Sequence, residues 1–305
     1  MKYIPKIVLV ENTILEESNL FLRFLHHPYY IQNRALILTA FPQLKQLLKT
    51  SGTELSAVRL FINKFYQENR ITIDKIIKRN TKILNQYGSS ALSTLLNITE
   101  YQYNKPIIFK AIPTILPLSP FKNNIFYFSI LNEIKHRANK NAVIIGMHEI
   151  SHFIVLDLLK QLEDKTNSML HEDAKNYLKE ALAVIILNQQ PLRNILKLKN
   201  YKGNPELQFL TIQKTDGNII SFIDFLQESY DNLITKQHKT FRFFLEYLLN
   251  IALSITPSLI EKRKLWNQYG KCIFANSTLS QLYGKPIKIK GDKSLTFIAS
   301  STRRS

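Results

Sequence analysis

The sequence predicts an α+β protein, mainly helical, in which a small β-sheet precedes a helix carrying two histidines and a glutamate. Three observations predict it. Apolar residues recur at helical spacing, most clearly at Ile73, Ile76, Ile77, Ile83, Leu84 and Tyr87. The β-rich runs are few and short, and two of them fall just before Ala142. Hydrophobic residues make up 45 % of the 305 and aromatics 11 %, enough for a substantial core, while no Gly/Ser-rich or Pro-rich linker divides the chain.

In chain order, Lys6–Val10 reads as a short strand. Gln43–Leu48 and Ser56–Gln67 read as helices, and Ile73–Tyr87 as a longer one that Gly88 stops. From Pro106 the character changes: Ile107–Ile112 and Ile125–Ile130 are strands joined by the proline-containing loop Pro113–Pro120. Ala142–Lys160 has the spacing of a buried helix, Asp164–Ser168 makes a turn, and a second apolar helix runs through Tyr177 to about Leu187. Gln190-Pro191 closes that helix. A polar connection, Lys197–Gly203, leads to helices at Ile219–Leu233, Thr240–Ile255 and Pro257–Tyr269. The expected organisation is a helical lobe over 1–100, a core over 101–195 with the two strands and the two apolar helices, a helical lobe over 196–283 and a basic polar tail over 284–305, whose one apolar run is Leu295–Ile298.

Within the buried helix, His148, Glu149, Ile150, Ser151 and His152 read H-E-x-x-H. Residues four apart on a helix share a face, so both imidazoles can reach one metal ion. Glu149, one step round, is placed to take a proton from a water on an open coordination position. With 7 His and 23 Asp+Glu available, chance supplies this pattern about 0.01 times in such a chain. Val143, Ile144, Met147, Ile154, Val155, Leu158 and Leu159 surround it with apolar positions. A buried helix that carries two histidines and a glutamate in its middle needs a partner for them.

A tetrahedral site needs a third protein ligand. The extended form of the motif requires Gly at 155 and His at 158, where this chain has Val155 and Leu158. Asp157 lies about 140° round the helix from His152. Glu180, an acid within the second apolar helix followed by the small Ala181 and Ala183, is the preferred ligand, because an unliganded carboxylate there is costly. His171 and Glu172, among charged neighbours at the start of the same helix, are the rivals.

Together these residues resemble the gluzincins, the clan of zinc metallopeptidases with H-E-x-x-H on one helix and a downstream glutamate on the next. Lys179-Glu180-Ala181-Leu182-Ala183 looks like the E-G-L-A ligand helix of its peptidase MA-like members, and the likeness covers about residues 106–190. It implies a zincin-like fold and one Zn²⁺ per chain held by His148, His152 and Glu180. It also implies Glu149 as general base and then acid, a peptide or protein substrate, and a cleft edge at Asn124–Ile130 that pairs with an extended peptide. Members commonly take a Tyr or His from the downstream helices to stabilise the oxyanion, for which Tyr230, His238 and Tyr247 are candidates. Two departures stand out: position 181 is Ala where Gly is commoner, and Val184 stands where many members carry an acid that orients a histidine. The second departure leaves a catalytically inactive zincin-like scaffold as the alternative.

The net charge of +18 raises nucleic acid or an anionic surface as a partner. The basic residues are scattered, however, with modest clusters at Lys78-Arg79, Lys262-Arg263-Lys264, Lys285 to Lys293 and Arg303-Arg304, and none interleaves with aromatics as a stacking platform does. They read as a solvated lysine-rich surface, and nucleic acid is not expected as a specific partner. The single cysteine, Cys272, has no internal disulfide partner, which suits a reducing compartment. Ile7–Val10 is too short and too soon interrupted by Glu11 for a secretion signal. Ala142–Leu159 is broken by His148, Glu149, His152 and Asp157, so no transmembrane segment is expected. Location in the cytoplasm follows.

Overall fold

A computed structural model describes residues 3–27, 31–135, 141–270 and 272–289. The chain forms two compact units, Met1–Thr94 with Gln102–Glu149, and Leu95–Tyr101 with Ile150–Ser305. It is mostly helical with small mixed sheets, an α+β architecture in the coarse sense.

The first unit is built on strand β1 (Lys6–Leu9), helices α1 (Ile14–Leu25), α2 (Ile31–Ala40), α3 (Pro42–Thr50) and most of α4 (Glu54–Thr99), strands β2 (Ile108–Thr114), β3 (Phe121–Lys122) and β4 (Ile125–Ser129), the short α5 (Leu131–Ile134) and the start of α6 (Ala142–Thr166). Its sheet has the order β1-β2-β4-β3; β1, β2 and β4 are parallel and β3 runs antiparallel to β4. Phe109 and Ala111 of β2 and Phe126 and Phe128 of β4 are buried. Gly146 lets α6 come down on β4, since a Cβ there would lie 2.8 Å from the Phe126 ring.

Two expectations for this unit are corrected. Gly88 does not stop a helix: the segments expected at Ser56–Gln67 and Ile73–Tyr87 are both parts of α4, a single helix of 46 residues. Interior glycine costs only about 1 kcal/mol, and the buried stripe resumes beyond it at Ala91, Leu92, Leu95 and Leu96. The stop is Glu100, in the left-handed region at φ 52. Strand Asn124–Ile130 is not an open edge. Phe121 and Lys122 pair with Phe126 and Ile125, and the Tyr127 amide donates to the Pro120 carbonyl at 2.8 Å, so the chain's own loop occupies the side on which a peptide was expected. Helices α1 and α2 were not anticipated; α1 carries a Thr13/Glu16 capping box at its start.

The second unit holds the rest of α6, α7 (Glu172–Asn188), α8 (Gln190–Leu196), a 3-10 turn at Pro205–Phe209, strands β5 (Thr211–Gln213) and β6 (Ile219–Ser221), α9 (Phe222–Tyr230) running into a π-helical turn at Asp231–Lys236, α10 (Phe241–Tyr269), α11 (Cys272–Ala275), α12 (Ser277–Gly284) and β7 (Ile287–Lys288). Its sheet has the order β6-β5-β7.

The helix expected from Ile219 begins instead at Phe222. Ile219–Ser221 pairs with Thr211–Gln213, and the Ser221 hydroxyl accepts from the Asp224 amide at 3.0 Å as the N-cap of α9. The expected helices Thr240–Ile255 and Pro257–Tyr269 are one helix, α10, with Pro257 inside it. Proline removes one backbone donor, but Ile255 and Leu259 carry the buried face across the break. The hydroxyls of Ser254 and Thr256 donate to the Ile251 and Ala252 carbonyls, each at 2.7 Å. The expected polar tail starts as strand β7, with Ile287 opposite Ile212. The run Leu295–Ile298 and the basic residues beyond Ile289 lie outside the described residues.

By length and composition α6 and α10 could each cross a membrane, a test that core helices of soluble proteins also pass. Within the protein, 78 % of the α6 stretch is buried and 50 % of the α10 stretch.

Candidate metal centre

Helix α6 is set in place at its first turn. The Asn141 side chain accepts from the Val143 and Ile144 amides, both at 3.0 Å, and the buried Asn80 of α4 accepts from the Ala142 amide at 2.7 Å. These bonds satisfy donors that a helix start leaves open. Two turns on, His148 and His152 share one face; His152 is buried, and so is Glu149.

The return to α7 is fixed by Glu163. One of its carboxylate oxygens accepts from the buried Leu170 amide at 2.6 Å and the other pairs with Lys175 at 3.1 Å. Asn167 takes the left-handed turn, φ 50. His171 becomes the N-cap of α7, its Nδ1 accepting from the Asp173 amide at 3.2 Å. That role and its half-exposed side chain keep it at the solvent end of the helix, and Glu172 is more exposed still.

The hairpin carries Glu180 to His152, with Oε2 at 3.7 Å from Nε2. Among the described residues, His148, His152 and Glu180 form a group whose ligand atoms all lie within 4.8 Å of one another. Donors around a tetrahedral zinc with bonds of about 2.0–2.1 Å sit roughly 3.3 Å apart, so small side-chain rotations close the set. Two imidazoles and a carboxylate are also the donor chemistry that zinc takes. Asp157 is engaged elsewhere, accepting from the Tyr101 hydroxyl at 2.7 Å and from Gln161 at 2.9 Å.

Around Glu180 lie further side chains, among them Glu206, which the sequence did not single out. Lys179 Nζ is 3.6 Å from Glu180 Oε1, and both side chains are largely buried. One turn before Glu180 on α7, the Tyr177 hydroxyl donates to the buried Glu206, whose other oxygen accepts from Arg263 at 2.7 Å; the guanidinium lies 4.5 Å from the Tyr177 ring centre. Burial pushes the Glu206 carboxyl up, Arg263 holds it down, and the Glu180 charge adds to the rise. The same burial, with Glu206 alongside, pushes the Tyr177 hydroxyl far up. One turn after Glu180, Val184 is packed on the backbone of Gly203, where an added Cβ would meet its methyl at 2.4 Å.

The three oxyanion candidates have described environments of their own. Tyr230 packs edge-on against Phe244 at 5.4 Å, and its hydroxyl is pushed up to about 12 by burial and by Asp231 and Glu100. Tyr247 lines a cavity of about 510 Å³ with Phe225, Glu228, Asp231 and Lys236. His238 is exposed, at a left-handed φ of 52. The cluster Lys262-Arg263-Lys264 is not a wholly solvated surface either, because Lys262 is buried and donates to the carbonyls of Leu282, Tyr283 and Lys285. Burial brings its ammonium down to about 8.

Comparison of the chain with protein-family models, with curated proteins and with solved structures finds no match.

Proposed function

We propose that this protein is a zinc-dependent metallopeptidase of the gluzincin type, with His148, His152 and Glu180 as metal ligands and Glu149 as the proton-transfer group. The observation that carries the reading is the convergence of two histidines, four apart on one buried helix, with a glutamate from the next. A bound zinc would supply a Lewis acid and bring the pKa of its water to roughly 7. Glu149 then takes the proton from the attacking water and delivers it to the departing amine. Cytoplasmic placement belongs to the same reading and is supported by the sequence having one cysteine, Cys272, too few for an internal disulfide.

The test is hydrolysis of a panel of unstructured peptides, with and without a chelator, by wild type and Glu149→Gln. Chelator-sensitive cleavage that the substitution abolishes is expected; cleavage retained by Glu149→Gln would overturn the mechanism. A second reading, an inactive zincin-like scaffold, is favoured by one observation. The position after Glu180 where an orienting acid is common is filled by Val184, closed over by Gly203. Metal binding without any chelator-sensitive cleavage across the panel would support it.

A further inference from the structure

We infer that Lys179 is a positioning residue for the metal ligand next to it, holding Glu180 so that only one carboxylate oxygen is offered to the ion. The inference rests on the metal-site reading above and adds how its third ligand is oriented. The two oxygens of Glu180 face different groups: Oε2 lies 3.7 Å from His152 Nε2, and Oε1 lies 3.6 Å from Lys179 Nζ. Neighbouring residues on a helix project about 100° apart. The lysine stem must therefore bend back for its ammonium to reach the carboxylate of the next residue.

The exposure of the pair gives that contact weight. The Lys179 side chain is 13 % exposed and that of Glu180 is 20 %. An ion pair this far from water is screened less than a surface pair. At 3.6 Å the contact is an ion pair rather than a hydrogen bond, so it acts through charge. Lys179 is also not needed for the hairpin acids, because Lys175, one turn earlier, already pairs with both Glu163 and Glu172. A ligating carboxylate is ordinarily held by a partner on its other oxygen, and removal of such a partner typically costs 10–100-fold in metal affinity. With Oε1 drawn to the ammonium, Glu180 would offer an ion Oε2 alone, which would leave a fourth position to water as in an open tetrahedral site. Without that charge the pull of Lys179 on Oε1 is gone, and a carboxylate that turned both oxygens to the ion would raise the coordination number.

The experiment loads wild type, Lys179→Met and Lys179→Arg with stoichiometric Co²⁺ and records the visible spectrum, alongside circular dichroism to check the fold. Wild type and Lys179→Arg should show the intense bands of a four-coordinate site. Lys179→Met, with the stem kept and the charge removed, should lose that intensity toward a five-coordinate spectrum. A spectrum of Lys179→Met indistinguishable from wild type overturns the positioning role while leaving the metal site standing. No cobalt band in wild type overturns both.

Discussion

Glu180 meets His152 across the α6–α7 hairpin, Oε2 to Nε2 at 3.7 Å, and the two come from helices whose return is set by a third side chain, Glu163. If the group formed with His148 holds zinc, its occupancy depends on the glutamate. Wild type purified without added metal should carry about one zinc per chain, and Glu180→Ala should lose affinity by more than the 10–100-fold that outer partners cost. Elemental analysis of the two proteins, prepared identically, decides the matter. Equal zinc in both would remove Glu180 from the ligand set.

Glu149 is buried one step round α6 from His148, and in the proposed mechanism it moves a proton and is not a metal ligand. Glu149→Gln is isosteric and should retain zinc, while hydrolysis falls by roughly 10²–10⁴, the usual worth of a general acid-base group. His148→Ala should lose both. Paired metal analysis and peptide assays check the split, and a variant that loses metal along with activity would return Glu149 to a structural role.

Glu163 should matter to the fold of the hairpin although it is charged. Its carboxylate takes the buried Leu170 amide and Lys175 together. Glu163→Ala leaves that amide without its acceptor, a cost of about 1–3 kcal/mol. Urea unfolding at pH 7 measures it. An unchanged midpoint would mean that the turn from Asn167 holds itself.

How much of this could be read in the sequence depends on the distance over which each signal acts. That His148 and His152 share a face follows from their spacing on any helix, and Glu180 stood out as an acid in an apolar run. Gly88 and Pro257 misled because they are local punctuation, and the apolar stripes of α4 and α10 continue past them. Phe121–Lys122 is too short to have a period, so nothing in the sequence revealed that it closes the edge of β4. Lys262 and Arg263 looked like surface charge. Their partners, the carbonyls of Leu282, Tyr283 and Lys285 and the carboxylate of Glu206, are brought to them only by tertiary folding.

In the first unit Glu17 makes stability depend on pH. It is fully buried, accepting from the Thr114 hydroxyl and the Ile115 amide at 2.8 Å each. Burial pushes its carboxyl from 4.5 up to about 7, against those hydrogen bonds and that of Asn12. A raised carboxyl makes the folded chain bind more protons than the unfolded one between these values. Its contribution is therefore fully present below about pH 4.5 and lost as pH rises through about 7. The stability of wild type relative to Glu17→Gln should fall by on the order of 3 kcal/mol between pH 4.5 and pH 8. Parallel stability curves for the two would refute the assignment.

Gly203, in the second unit, should resist replacement for two separable reasons. Its φ of +63 lies in the left-handed region, and an added Cβ would come 2.4 Å from the Val184 methyl, on the turn of α7 that follows Glu180. Left-handed backbone costs a side chain about 1 kcal/mol, and forcing a methyl into packed surroundings costs typically 1–3 kcal/mol more. Gly203→Ala should therefore lose about 2–4 kcal/mol. Val184→Ala, which removes the opposing methyl groups, should recover the packing part but not the backbone part. In a double-mutant cycle by chemical denaturation the coupling should be at least about 1 kcal/mol. If the two substitutions are simply additive, the contact does not limit position 203, and the backbone conformation alone requires glycine there.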